Sequence, residues 1–398
     1  MPDITSHGLR YSIRVRRAAH DGSSRGEVLP RDPGRGWPEI NGRRFPVARM
    51  GPMRWPVPEI ATLADLAAHL DLHLSELEWL ADVRGLERSV PAEKLRNYSY
   101  RWIPRDRGLP RLLEMPKRRL KEVQRRVLRE IVDPIPPHPD AHGFRRGHSA
   151  LTNARRHTGA GLVIGFDLED FFASVTGGRV YGIFRGAGYP ETVAHRLTAL
   201  STNVVSRDAW HELPDPERAD LIAKRHRLGR RLATPHLPQG APTSPALANL
   251  AAFGLDRRLS ALALATGVTY SRYADDLSFS GGRQLAARAA PFRRLVEEIV
   301  EDEGFRLNRR KSWLTSRAGR QAVTGVVVNA HPNLARVEYD RLRATLHDAA
   351  LHGPEYANRT GVADFRAHLL GRIAWAGSLN PARRHKLDRL FGQITWPS

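Results

Sequence analysis

The sequence predicts an α+β fold, and three observations carry that reading. Short apolar or alternating runs at 98–103, 111–114, 162–166, 268–280 and 322–328 read as strands. Most of the chain between them repeats its apolar residues at helical spacing. The run at 268–280 reads as strand, tight acidic turn, strand, which is an antiparallel pairing.

The elements follow in order. Residues 1–58 are rich in Gly, Pro and Arg without a sustained period, and read as an irregular basic extension. Leu63, Leu66, Ala67 and Leu70 recur at helical spacing behind a capping box of Thr62 and Asp65. Ser75 with Glu78 offers a second helix start, followed by Leu77 and Leu80. Tyr98 to Ile103, the turn Arg105-Asp106-Arg107-Gly108 and Arg111 to Glu114 form a hairpin. Pro116 opens a helix with Leu120, Val123, Val127, Leu128 and Ile131 on one face and mostly Arg elsewhere. Leu162 to Phe166 is an apolar run ending in Asp167, which suits a buried strand carrying a carboxylate at its C-terminal end. Residues 207–231 read as a helical insertion, Ala246–Leu264 as a helix, 287–303 as a helix and 322–328 as a strand. From about 336 the tail gives three helical stretches, marked by Leu342 and Leu346, by Phe365, Leu369 and Ile373, and by Leu387 with Leu390.

Composition narrows the function. The chain has 398 residues, enough for two to three domains, and 41% apolar residues exclude a wholly disordered chain. It contains no cysteine, which excludes disulfides, Cys-zinc sites, iron–sulfur clusters and thiol nucleophiles. No apolar run approaches the ~18–20 residues of a membrane helix. The start, MPDITSHGLRYSIRVRR, shows no apolar segment of a signal peptide, so a soluble, cytoplasmic protein with no membrane partner is expected. Lys and Arg total 63 against 42 Asp and Glu, a formal charge of +21 that points to a nucleic-acid polyanion. Solvated Arg-rich faces are the alternative. Only Lys94, Lys117, Lys121, Lys224, Lys311 and Lys386 are lysines, so a position that kept Lys is a candidate for needing a compact ammonium.

Asp167 ends a strand, and Asp275 and Asp276 sit side by side between Tyr273-Ala274 and Leu277-Ser278. Adjacent acids at a hairpin tip repel each other unless a cation holds them, and magnesium favours carboxylate oxygens and substrate phosphates. An isolated Asp-Asp pair is ordinarily an exposed turn, so the neighbours decide.

Those neighbours resemble the palm of reverse transcriptases. Phe166-Asp167-Leu168-Glu169-Asp170-Phe171-Phe172 is similar to that family's first metal-binding motif. Leu237-Pro238-Gln239-Gly240-Ala241-Pro242-Thr243-Ser244-Pro245 is similar to its second motif, and Tyr273-Ala274-Asp275-Asp276 to its YADD box. Gly304-Phe305-Arg306-Leu307-Asn308 with Lys311 resembles the following Asn…Lys motif, and Val323-Thr324-Gly325 opens a stretch like the primer grip. Asn153-Ala154-Arg155-Arg156-His157 and Val323-Thr324-Gly325 also match the NAxxH and VTG motifs of retron reverse transcriptases. The extension at 1–58 is longer and the 207–231 stretch larger than most retron enzymes carry.

The resemblance implies a right-hand polymerase. Residues 59–161 would form N-terminal helices and fingers, 162–330 an antiparallel-sheet palm with an inserted fingers segment at about 180–236, and 331–398 a helical thumb. It implies that Asp167 and Asp275, with the Leu168 carbonyl, hold two Mg2+ ions, Asp276 being the weaker ligand. Phe172 occupies the steric-gate position against a ribose 2′-OH, with core packing as its alternative and the preferred reading of Phe171. Gln239 would line the nucleotide pocket and Gly240 let the backbone approach the substrate. Arg111 and Lys117 would contact triphosphate or template, or an ordinary phosphate backbone. Lys311 would serve as a proton donor near the leaving pyrophosphate, its alternative being a surface ion pair. Asn153, His157, Val323, Thr324 and Gly325 would bind RNA or primer, His157 alternatively being structural. The implied partners are dNTPs, a structured noncoding RNA serving as template and primer, its branched RNA–DNA product (msDNA), and an effector protein in antiphage defence. Competing expectations are another bacterial reverse transcriptase, of group II intron, CRISPR-associated or abortive-infection type, and a noncatalytic RNA-binding palm scaffold.

Overall fold

The computed structural model describes residues 49–396 except 91, 92 and 107, together with a short pairing of Glu39–Ile40 with Arg43–Arg44. Most of the expected extension at 1–58 lies outside the described residues. The chain divides after Val47, and the following concerns residues from 48 onward.

Helix Leu63–Leu70 begins with a full capping box. Thr62 Oγ1 accepts the Asp65 N–H at 3.1 Å, and Asp65 Oδ2 accepts the Thr62 N–H at 3.0 Å. The next helix, Leu74–Ala81, is capped at His73, not at the expected Ser75. The first helix ends on Asp71 at φ 56°, a left-handed stop that reverses the chain and lets helical geometry resume early. The basic hairpin pairs Tyr98–Ile103 with Arg111–Pro116. Pro116 therefore ends a strand and does not open a helix. The Lys117 N–H donates to the Asn97 carbonyl at 2.8 Å, which keeps the chain extended until helix Arg118–Val127 begins.

The central sheet has four antiparallel strands, in the order Thr269–Tyr273, Asp276–Gly281, Leu162–Asp167, Trp313–Ser316. All six residues of Leu162–Asp167 are buried because both faces are covered. Leu162, Ile164 and Phe166 join the main core with Leu277, Phe279 and the helices, while Val163 joins a second core with the tail helices. Gly165 faces Trp313, and a Cβ there would fall 2.3 Å from the indole ring. Only glycine fits without moving that ring.

Helices Ser244–Ala251 and Phe253–Ala265 replace the single expected helix, broken at Ala252 (φ −88°, ψ 5°). Arg283–Ala287 and Ala289–Asp302 likewise break at Arg288. The expected strand at 322–328 is a tiny hairpin of Ala322–Val323 and Val326–Val327. Thr324 and Gly325 between them both have positive φ, 48° and 78°, the condition of a two-residue hairpin turn. The insertion forms helices Arg207–His211 and Ala219–Leu232. The tail gives Arg336–His352, the short Pro354–Ala357, Phe365–Leu379 and Pro381–Phe391. Leu342, Leu346, Leu369, Ile373 and Leu387 build their shared core. No helix among the described residues is long and apolar enough to cross a membrane.

Candidate active site

Strand alternation puts Asp167 on the face of Val163 and Gly165, opposite the main core. Its register partner is Asp276, at the start of the neighbouring strand. Ala274, at φ 57°, turns the chain between the edge strand Thr269–Tyr273 and its neighbour Asp276–Gly281, and the Leu168 N–H donates to the Asp275 carbonyl at 2.9 Å. The Asn308 N–H donates to the Asp167 carbonyl at 2.7 Å, which brings the segment bearing Lys311 alongside. Lys311 Nζ then reaches Asp167 Oδ2 at 2.9 Å.

A cavity of about 260 Å³ opens there. Its walls include Asp167, Leu168, Asp275 and Lys311 from the sheet side, Arg111 from the hairpin, Phe172, and Gln239. Phe172 is half-buried, with its ring centroid 5.7 Å from that of Phe171 and 6.0 Å from that of Phe144. Phe171 is buried in the main core.

The acids repel one another. Burial, then the Asp167 charge, pushes the Asp275 carboxyl above the usual carboxylate range. Asp276 is pushed up to about 6 by loss of solvent around the carboxyl, then by Asp275 and Asp167. Its side is nonetheless open to solvent, and it does not line the cavity. Burial also lowers the Arg111 pKa, with Arg105 adding to the effect and Asp275 opposing it. The donor set suits a hard divalent cation: two mutually repelling carboxylates and a Leu168 carbonyl with no hydrogen-bond partner among the described residues. No cluster of three His, Asp or Glu side chains arranged for a metal occurs among the described residues.

Three supports lie behind this wall. Arg272 is fully buried, donates to both carboxylate oxygens of buried Asp256 at 2.8 and 2.6 Å, and donates to the Ala274 carbonyl of the acidic turn at 3.0 Å. Glu114 on the hairpin and His236 are also buried, with His236 Nε2 at 3.0 Å from Glu114 Oε1 and Asn203 Nδ2 donating to Oε2 at 2.8 Å. This pairing ties the hairpin to the segment before Gln239. The Glu114 N–H donates to the Gln239 carbonyl at 2.9 Å.

Several expected contacts are corrected. Gly240, at φ 134°, brings the backbone against the hairpin, where a Cβ would sit 2.8 Å from the Glu114 carbonyl oxygen; it does not line the cavity. Lys117 lies outside the cavity too, its ammonium donating to the Glu93 carbonyl. Asn153 and His157 are fully buried and cannot meet RNA with their side chains. His157 contacts Ser280 Oγ at 2.8 Å and Ser271 Oγ at 2.7 Å, and Ser271 donates to Asn153 Oδ1 at 2.6 Å. The pair pins helix Ala150–Arg155 to the strands flanking the acidic turn. Val323 is buried in the second core, and Thr324 Oγ1 donates to the Ala150 carbonyl at 3.0 Å, leaving Gly325 as the exposed member of that triplet. Sequence reasoning assigned no role to Glu169, Asp170, Phe144 or Lys224, all of which line the cavity. The scarcity of lysine that singled out Lys311 applies equally to Lys224.

Residues 103–328 match the family described as reverse transcriptase (RNA-dependent DNA polymerase). The chain is 40% identical to the retron Mx65 reverse transcriptase of Myxococcus xanthus over 84% of its own length and 72% of that enzyme's. It is 39% identical to the retron Mx162 reverse transcriptase of the same organism over 73% of this chain and 59% of that one. It is 33% identical to the retron Ec86 reverse transcriptase of Escherichia coli over 60% of this chain and 64% of that one. The chain thus spans under two thirds of the latter two enzymes. The matched palm residues and these relatives together make the chain a member of the retron reverse transcriptases, a family of RNA-directed DNA polymerases.

Proposed function

We propose that this chain reverse transcribes part of a structured noncoding RNA, primes from that RNA to give a branched RNA–DNA, and acts with an effector protein in antiphage defence. The observation that carries the chemistry is the single cavity gathering Asp167, Asp275, Lys311, Arg111, Phe172 and Gln239. In this reading residues 59–161 and about 180–236 serve as fingers, 162–330 as palm and 331–398 as thumb.

Asp167, Asp275 and the Leu168 carbonyl would hold two magnesium ions. Magnesium, when bound, neutralises phosphate charge and lowers the pKa of an attacking hydroxyl. The chain's own groups position the reactants and exclude wrong ones. Arg111 meets the incoming triphosphate at the cavity wall with a planar fork suited to phosphate. Gln239 is held by the hairpin at its carbonyl and lines the nucleotide pocket. The Phe172 ring, braced by Phe171 and Phe144, fills the space a ribose 2′-OH would need. Lys311 rests on Asp167 and carries a proton that it can give to the leaving pyrophosphate, which an arginine would not release.

Purifying the protein from its host and identifying the nucleic acid that comes with it tests this reading. A DNA joined to RNA through a branch supports it. Unbranched DNA, or none, sinks the retron mechanism.

A further inference from the structure

Helix Ala219–Leu232 has two working faces. Lys224, Leu228 and Leu232 recur at i, i+4 and i+8 and line the active-site cavity. Arg227, Arg230 and Arg231, continued by Thr234 just past the helix end, recur at i, i+3, i+4 and i+7. At about 100° per residue the two rows point about 110° apart. The second row and Arg306, from the segment after Gly304, line a separate cavity of about 290 Å³.

Four guanidinium groups therefore surround one cavity whose lining holds no carboxylate. Arg227 and Arg231 also lean on acids that line the first cavity: Arg227 Nη2 is 3.4 Å from Glu169 Oε1, and Arg231 Nη1 is 3.4 Å from Asp170 Oδ2. Arg230 and Arg306 are exposed and make no side-chain hydrogen bond or ion pair among the described residues. Converging cations repel one another unless an anion sits between them, and guanidinium forks match phosphate oxygens two at a time.

We propose that this cavity binds a phosphate of a nucleic-acid backbone, at a site distinct from the nucleotide pocket. The inference rests on the polymerase reading above. The two cavities share no lining residue, and neither Asp167, Asp275 nor Lys311 reaches the second one, so a triphosphate engaged at the acids is served elsewhere.

The test is the double variant Arg230→Gln, Arg306→Gln in the full chain, with its melting temperature compared with wild type. Both residues are exposed and without an ion-pair partner among the described residues, so the fold should survive. Binding of a fluorescein-labelled RNA hairpin is followed by anisotropy across a salt titration. Affinity should fall about tenfold or more, and the slope of log K against log salt should flatten by about one to two units. The KM for dNTP on a primed RNA template should stay within about twofold, since uniform substrate binding is untouched. Unchanged affinity and slope beside a wild type that binds the hairpin would overturn this site and leave the polymerase reading standing. A wild type that binds no RNA would overturn both. A raised dNTP KM with unaltered RNA binding, or competition by pyrophosphate alone for the Arg230 and Arg306 contacts, would assign the cavity to a free polyphosphate and overturn the backbone site.

Discussion

The buried pair behind the acidic turn gives the sharpest stability test. Arg272 and Asp256 are both 0% exposed and share two hydrogen bonds. The guanidinium also donates to Asn249 Oδ1 at 2.9 Å and to the Ala274 carbonyl at 3.0 Å. Arg272→Met keeps much of the volume but removes the charge and all four bonds. It strands the Asp256 carboxylate in the core with only the Tyr270 hydroxyl, at 2.8 Å, to satisfy it. Removing one member of a buried pair costs about 3–5 kcal/mol. Asn249 Oδ1 and the Ala274 carbonyl lose their donor in the single and the double alike. The double, Arg272→Met with Asp256→Leu, removes the stranded charge and adds only an unpaired Tyr270 hydroxyl, at about 1–3 kcal/mol. Denaturant unfolding of the single and double variants should therefore show the double to be the more stable, by about 1–3 kcal/mol. The Ala274 carbonyl lacks its donor in both, so dNTP incorporation should stay depressed in the double even as stability returns. A single variant that loses under about 1 kcal/mol, or a double no more stable than the single, would refute the clamp.

Other expectations follow from separate parts of the fold. Gly165→Ala should cost about 1–3 kcal/mol in denaturant unfolding, because its Cβ would meet the Trp313 ring at 2.3 Å; an unchanged midpoint would contradict that packing. Burial holds the His157 imidazole down to about 3, and burial with the His148 charge holds His142 down to about 4. An unfolded chain protonates such rings near about pH 6.5, so it binds protons the native state refuses, and stability should fall as pH drops from there toward 4. His157→Gln should flatten part of that slope, and equal slopes for the two proteins would count against a neutral buried ring. Phe172→Ala should admit NTPs in primer extension, and unchanged sugar selectivity would remove the ring from that role.

The sequence made the candidate site's skeleton legible because its acids, Asp167 and Asp275, sit at a strand end and a turn, where local pattern is strong. The run into Asp167 and the strand–turn–strand around Asp275 both fold as read. Boundaries were less legible where tertiary contacts decide them. The hydrogen bond from Lys117 to Asn97 carries the hairpin past Pro116, and no local signal marks it. The Thr324-Gly325 turn hides inside an apolar run because threonine seldom marks a positive φ. Polar motif residues were the hardest to read. Asn153 and His157 have the chemistry of an RNA contact, but Ser271 and Ser280, more than a hundred residues later, take up their hydrogen bonds. Residues 207–231 read only as a helical insertion, and the fold alone separates Lys224, which lines the cavity at the acids, from the Arg227, Arg230 and Arg231 row, which lines a second cavity.

The most direct measurement is primer extension on an RNA template with magnesium, comparing wild type with Asp275→Ala and Asp167→Asn. The active-site assignment predicts robust dNTP incorporation by wild type and loss of about three orders of magnitude or more in either variant, with folding preserved, as removal of a group that holds transition-state charge entails. Undiminished synthesis in either variant, or a wild type that extends no primer, would contradict it.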